Sequence, residues 1–162
     1  MTPGLIGSMN QLGLVEVSAV SRSRDARDKK ADITFDASTA FNPRSSAIAY
    51  TRKGGITSNV VAPRGGESIF KGLAFVADLS GEFDSVVSNG NAVVVDLGAE
   101  SKGSRAMSLQ KLYRKLEDAQ KKLAKAEEAK KEKSDEKKAD EKEPKRDEAV
   151  INALLAGEQT LV

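Results

Sequence analysis

Met9 and Gln11 follow a short apolar segment and stand two positions apart. On an extended strand, residues i and i+2 point to the same side of a sheet, so the pair is aimed into one mouth. A thioether and a neutral amide are poor ligands for a divalent ion, which prefers imidazole, carboxylate or thiolate. The chain has no histidine and no cysteine, so an imidazole- or thiolate-based zinc site cannot be assembled from it, and no replacement ligand set of that type exists elsewhere. All-carboxylate magnesium or calcium sites stay open. Glu16 and Asp96 fall near expected strand ends, where a carboxylate could act as a general acid, a general base or a metal group, although acidic residues at strand ends are common. The loop Gly65-Gly66-Glu67-Ser68 could offer backbone amides to an anion. It lacks the Gly-Lys-Ser/Thr ending of a phosphate loop, and flexibility is its simpler reading. Ser104-Arg105 could present a cation to a carboxylate, but Ser104 is better read as a helix N-cap.

The elements that must position these residues are short strands and helices in alternation. Residues 4–17 are strand-like, and Arg22 to Lys30 is dense enough in charge to be an exposed loop. Asp32 to Asp36 is a short extended or turn segment. Asn42-Pro43 opens a helix whose modest apolar face is Ala47, Ile48, Tyr50 and Thr51, and Gly54-Gly55 ends it. Ile56 to Ala62 is a strand with Val60 and Val61 as its buried pair. Strand, helix, strand in this order implies a right-handed unit with parallel strands. Asn89-Gly90 reads as a turn into Asn91–Gly98, a third buried strand. Leu109, Leu112, Leu116, Ala119, Leu123 and Ala126 recur at three and four, an apolar stripe on a helix that packs on the outside of the fold. From Lys130 to Lys145 the stripe dissolves into charge, either a solvated helix or disordered chain. Asp147-Glu148 open a last helix, closed by Gly157.

Composition excludes several classes of function. Lys and Arg number 26 against 24 Asp and Glu, a net charge of +2 that builds no polyanion-binding field. No nucleic-acid module is visible, and no apolar run approaches the roughly 20 residues of a membrane span. Residues after Met1 do not form a signal peptide, so localisation is not set, with cytoplasm or periplasm both compatible. No nucleic acid and no membrane is expected as a partner, and a homo-oligomer is allowed.

Thr2-Pro3-Gly4-Leu5-Ile6 followed by Gly7-Ser8-Met9-Asn10-Gln11-Leu12-Gly13 resembles the first barrel strand of the amidohydrolase superfamily. There the stretch reads Pro-Gly-Leu-Ile-Asp-x-His-x-His-x-Gly. Phe41-Asn42-Pro43, Arg52-Lys53-Gly54-Gly55-Ile56-Thr57, Val61-Ala62-Pro63 and Ile69-Phe70-Lys71-Gly72 look like successive blocks of its imidazolonepropionase-related members. Val93 to Gly98, Ser104-Arg105 and Asp147 to Val162 continue the match.

The resemblance implies an α/β fold: a partial TIM (β/α)8 barrel made of the first few βα units, with a long charged helix. It implies a metal-dependent hydrolase of carbon–nitrogen bonds other than peptide bonds. A divalent metal of the zinc type is expected for the family, but its ligand positions are taken by Met9 and Gln11. A complete barrel takes about 250 residues, and this chain has 162, so it is expected to be a fragment of one domain. Residues 1–108 would hold the first βα units, 109–146 the charged helix, and 147–162 a helix leading into the next barrel strand. The fragment alone is expected to be inactive. The alternative is a degenerate, non-catalytic barrel serving as a ligand- or protein-binding module, and a third reading is an interaction protein built around the Lys/Glu-rich helix.

Overall fold

In the computed structural model, residues 3–98, 104–132 and 145–162 are described. They form a mixed α/β fold with five strands in one curled sheet and three helices. The order along the chain is β1 (Leu5–Asn10), α1 (Ser46–Lys53), β2 (Ile56–Val61), β3 (Phe70–Asp78), β4 (Val86–Val95), α2 (Arg105–Glu132), α3 (Arg146–Leu155) and β5 (Thr160–Leu161). In the sheet, each strand lies beside its neighbour in sequence.

Strand direction follows connection length. A parallel pair needs a crossover of a dozen or more residues, whereas a short link can only make a hairpin. The long connection through α1 makes β1 and β2 parallel, as the strand, helix, strand order implies. The connection through α2 and α3 likewise makes β4 and β5 parallel. Residues 62–69 and 79–85 are too short for a crossover, and β3 is antiparallel to both β2 and β4. β4, which covers most of the expected third buried strand over residues 91–98, therefore runs in the same direction as β1 and β2, and the departure from a run of parallel βα units is β3, antiparallel between them. β4 begins earlier, at Val86, and belongs to a hairpin. Asn89-Gly90 is not the turn into it. It lies inside β4 where the pairing jumps from Ala74 opposite Ala92 to Phe75 opposite Asn89, an irregularity of the bulge type.

Two other boundaries move for local reasons. β1 stops at Asn10, and Leu14 beyond it is buried in the loop region. α1 starts at Ser46, because the Asn42 side chain accepts from the Arg44 amide at 3.1 Å in a turn of its own, and Ser45 Oγ then accepts from the Ala47 amide at 3.3 Å as the cap. The N-terminal cap of α2 is Ser104, whose Oγ accepts from the Met107 amide at 3.3 Å. The segment from Lys130 to Lys145 falls largely outside the described residues. Among the described residues, no helix is long and apolar enough to cross a membrane.

The core divides in two. Val61, Phe75 and Ala77 of the sheet pack with Leu14, Ala26 and Ala37, all from connecting segments. Phe70 and Val93 pack with Ile33, Ile69 and Leu112, and Leu116, Val150, Ile151 and Leu154 of the two later helices lie against them.

Candidate ligand cleft

The end of β1 is irregular. Gly7 pairs with Asn59 and Asn10 with Val61, so three steps on β1 match two on β2. The extra residue bulges, and Met9 takes φ of +49°, a left-handed conformation that a side chain such as methionine seldom adopts. The strand end is nevertheless fixed. Asn10 Nδ2 donates to Asn59 Oδ1 at 2.8 Å and Asn59 Nδ2 donates back at 2.7 Å, with Asn59 fully buried. Ala62 N also donates to the Asn10 carbonyl at 2.8 Å.

Beside this bulge lies a cleft of about 370 Å³. It sits at the C-terminal ends of β1, β2 and β4. Met9, Ala62, Pro63 and Val94 supply apolar wall, and Gln11, Arg27, Arg64, Lys71 and Asp96 supply polar groups. Met9 and Gln11 therefore do open into one space.

Lys71 is the buried charge of the cleft. Its Nζ donates to the Gly66 carbonyl at 3.0 Å and lies 3.8 Å from Asp96 Oδ2. Asp96 Oδ1 accepts from the Gly98 amide at 2.8 Å. Asp96 is thus at the cleft, but as the counter-charge of a lysine. Among the described residues, Arg27 and Arg64 have no carboxylate or hydrogen-bonded partner for their guanidinium groups, and they form the electropositive side of the cleft.

Two connecting loops hold these arginines in place. The Arg64 amide donates to the Ala26 carbonyl at 2.8 Å, which sets residues 27 and 64 beside each other. Gly66 packs so closely that an added Cβ would lie 2.3 Å from the Asp28 carbonyl oxygen and 2.4 Å from that of Lys29. Gly65 has φ of +52° and leaves no room for a side chain over Lys71. The reading of this loop as flexible is therefore corrected: Gly65 and Gly66 are buried and serve close approach. The Glu67 amide points to the Lys29 carbonyl at 3.5 Å, and Ser68 Oγ is used to accept from the Phe70 amide at 3.2 Å.

Glu16 is elsewhere. Its two oxygens accept from Asn42 Nδ2 at 3.0 Å and Ser45 Oγ at 2.9 Å, tying the loop after β1 to the start of α1. Arg105 is exposed at the start of α2 and does not line the cleft. The residues that sequence reasoning missed are Arg27, Arg64 and Lys71. Lys71 carried a signal, since it stands in an apolar stretch at the start of a strand. The pairing of Arg27 with Arg64 rests on a contact between distant loops and carried none.

A zinc-type ion does not fit this set of donors. The cleft offers one carboxylate, already facing a lysine, with a thioether, an amide and two guanidinium groups around it. Among the described residues, no three of His, Cys, Asp and Glu come together.

No family model matches the sequence, and no curated protein matches it. Among solved structures, an amidohydrolase from Thermotoga maritima MSB8 superposes with a TM-score of 0.75 at 19% identity. The two share a fold. The match covers 96% of this chain and 43% of the Thermotoga amidohydrolase, so the chain spans less than half the length of that protein.

Proposed function

We propose that the chain is the front part of a (β/α)8 barrel of the amidohydrolase type. Its parent hydrolyses carbon–nitrogen bonds other than peptide bonds in a small-molecule substrate. The observation that carries this reading is the likeness of fold to the Thermotoga amidohydrolase over nearly the whole chain. The position of the cleft supports it, because barrels of this kind hold their sites at the C-terminal ends of their strands.

The 162 residues alone are proposed to be inactive. Hydrolysis of this type needs a water activated by a metal, and the groups at Met9 and Gln11 cannot hold a zinc-type ion. Any such ion in the parent is held by other residues. The test compares the isolated chain with the longer gene product, each incubated with zinc, for bound metal and for hydrolysis of amides and cyclic amides. Metal and activity in the longer product but not in the 162-residue chain are expected. Stoichiometric zinc and turnover by the isolated chain overturn the proposal of inactivity.

A second reading, a non-catalytic barrel that binds a ligand, is favoured by one observation: the cleft is lined by two arginines whose guanidinium groups have no partner among the described residues, and not by a set of metal ligands. If the longer product also lacks metal and activity, this reading replaces the first.

A further inference from the structure

We propose that the cleft is a binding site for a small molecule with an oxyanion head, carboxylate or phosphate, and a short apolar body. The inference extends the binding reading of the cleft and does not depend on hydrolysis.

Its basis is the gathering of cations at one cleft. Arg27 and Arg64 come from loops far apart in sequence, and the bond from the Arg64 amide to the Ala26 carbonyl pins their backbones side by side. The close approach of Gly66 to Asp28 and Lys29 holds the same two loops together. Neither guanidinium has a partner among the described residues, and both face one cleft. Both residues are exposed, so water screens their mutual repulsion, and an anion bound at the cleft gains an attraction to each. Lys71 adds a third cation to this wall, with Asp96 offsetting it only at 3.8 Å. The balance of the cleft is therefore positive, although the whole chain carries only +2.

The type of cation selects the ligand. A guanidinium presents a planar fork of donors that matches the two oxygens of a carboxylate or phosphate. Met9, Ala62, Pro63 and Val94 line the same cleft and give it apolar surface. A cleft of about 370 Å³ is at the small end for ligand sites, which suits a head group with a few carbon atoms. Met9 is held at φ of +49° against this space. Strained backbone of that kind collects at binding sites, where the surroundings impose it.

The test is calorimetric titration of the 162-residue chain at low salt with acetate, hexanoate, inorganic phosphate and the neutral hexanamide. One-to-one binding of hexanoate or phosphate is expected. Hexanoate binding more tightly than acetate and phosphate assigns a carboxylate head with an apolar body, and phosphate binding more tightly assigns a phosphate head. Arg27→Gln and Arg64→Gln are each expected to weaken binding about ten-fold with an unchanged melting curve. Arg44→Gln, at a residue stacked on Phe83 and outside the cleft, is expected to bind as the original does.

If Arg64→Gln does not fold, Arg64→Lys keeps the charge, loses the fork and is expected to bind more weakly. The proposal is overturned if no anion binds to the folded chain, if hexanamide binds as tightly as hexanoate, or if the variants at both arginines that fold bind as tightly as the original. Failure of binding alongside hydrolysis by the longer gene product leaves the hydrolase reading standing, so the two are separable.

Discussion

One part of the sheet is covered by connecting segments and another by helices, and the two are held in different ways. Over Val61, Phe75 and Ala77 lie Leu14, Ala26 and Ala37 from irregular chain. Over Phe70 and Val93 lie Leu112 and Leu116 of α2, with Val150, Ile151 and Leu154 of α3. A helix satisfies its own backbone, so it needs only an apolar stripe to dock. An irregular segment that covers a core must find partners for its amides and carbonyls elsewhere. The bonds from Asp25 N to Leu14 O, Asn42 N to Gly13 O, Arg64 N to Ala26 O and Leu73 N to Phe35 O, each 2.8 Å, do this on the loop side. The loop side is specified by backbone contacts and the helix side by side-chain volume.

The largest effect expected from this contrast is at Phe75. It is almost fully buried and meets Phe41 edge to face, with ring centroids 5.5 Å apart. Phe75→Ala is expected to cost ~3–5 kcal/mol by urea denaturation, because the loops over it cannot follow a cavity without breaking their backbone bonds. Leu112→Ala on the helix side is expected to cost less, about 2–3 kcal/mol, since a docked helix can shift as a body. Equal costs at the two positions would remove the mechanical distinction between the halves.

Gly66→Ala comes next. The new Cβ would meet two backbone carbonyls, which cannot rotate away as a flexible side chain could. A loss of roughly 1–3 kcal/mol is expected. Because the same contact holds Arg27 beside Arg64, anion binding to the cleft should weaken as well. A variant with original stability and a changed cleft is not expected, and finding one would separate loop packing from site geometry.

The contrast also explains what could be read from sequence. The spacing of Leu112 and Leu116, the Ser104 cap and the acidic start of α3 at Asp147 and Glu148 are local signals, and α2 and α3 follow them. The parallel pair of β1 and β2 follows from the connection between them. Ala26, by contrast, is a small residue inside the charged run Arg22 to Lys30, which reads as exposed, yet it is buried and its carbonyl anchors Arg64. Nothing within a window around Ala26 signals this, because its partner is far away in the chain. The cleft inherits the same limit. Met9 and Gln11 both reach it although the strand they were read on bulges at Met9 and stops at Asn10, and its cations were set by contacts between loops.

Asp36 tests a polar tie between the loop covering and the sheet. Its carboxylate accepts from the Ser38 amide at 2.9 Å and from Asn89 Nδ2 at 2.8 Å, fastening a short 3-10 turn to β4. Burial pushes its pKa up, but the hydrogen bonds from Ser38 and Asn89 outweigh this and hold it below the ordinary 3.8. The folded state therefore binds that proton less readily than the unfolded chain. The stabilisation is present above the unfolded value and is lost as pH falls through the folded one. Asp36→Asn is expected to cost ~1 kcal/mol at neutral pH and less in acid, so its stability should fall less steeply below pH 4 than that of the original chain.

The smallest effect belongs to the pair joining α2 to α3. Lys122 Nζ donates to Glu148 Oε1 at 2.8 Å, which raises the lysine pKa and lowers that of the glutamate. By sign, the lysine shift stabilises below its unfolded value and fades as pH rises through the folded one. The glutamate shift stabilises above its unfolded value and fades as pH falls through the folded one. At neutral pH both are in force, yet the lysine side chain is 69% exposed, so water and salt screen the attraction. Glu148→Gln is expected to leave the melting temperature unchanged at physiological salt, with a small decrease appearing only at low salt. If the docking of α3 on α2 rests on Leu116, Val150, Ile151 and Leu154, Ile151→Ala must cost far more than Glu148→Gln. A reversal of that order would mean that the helix side, too, is held by specific polar contacts, and that volume alone does not define it.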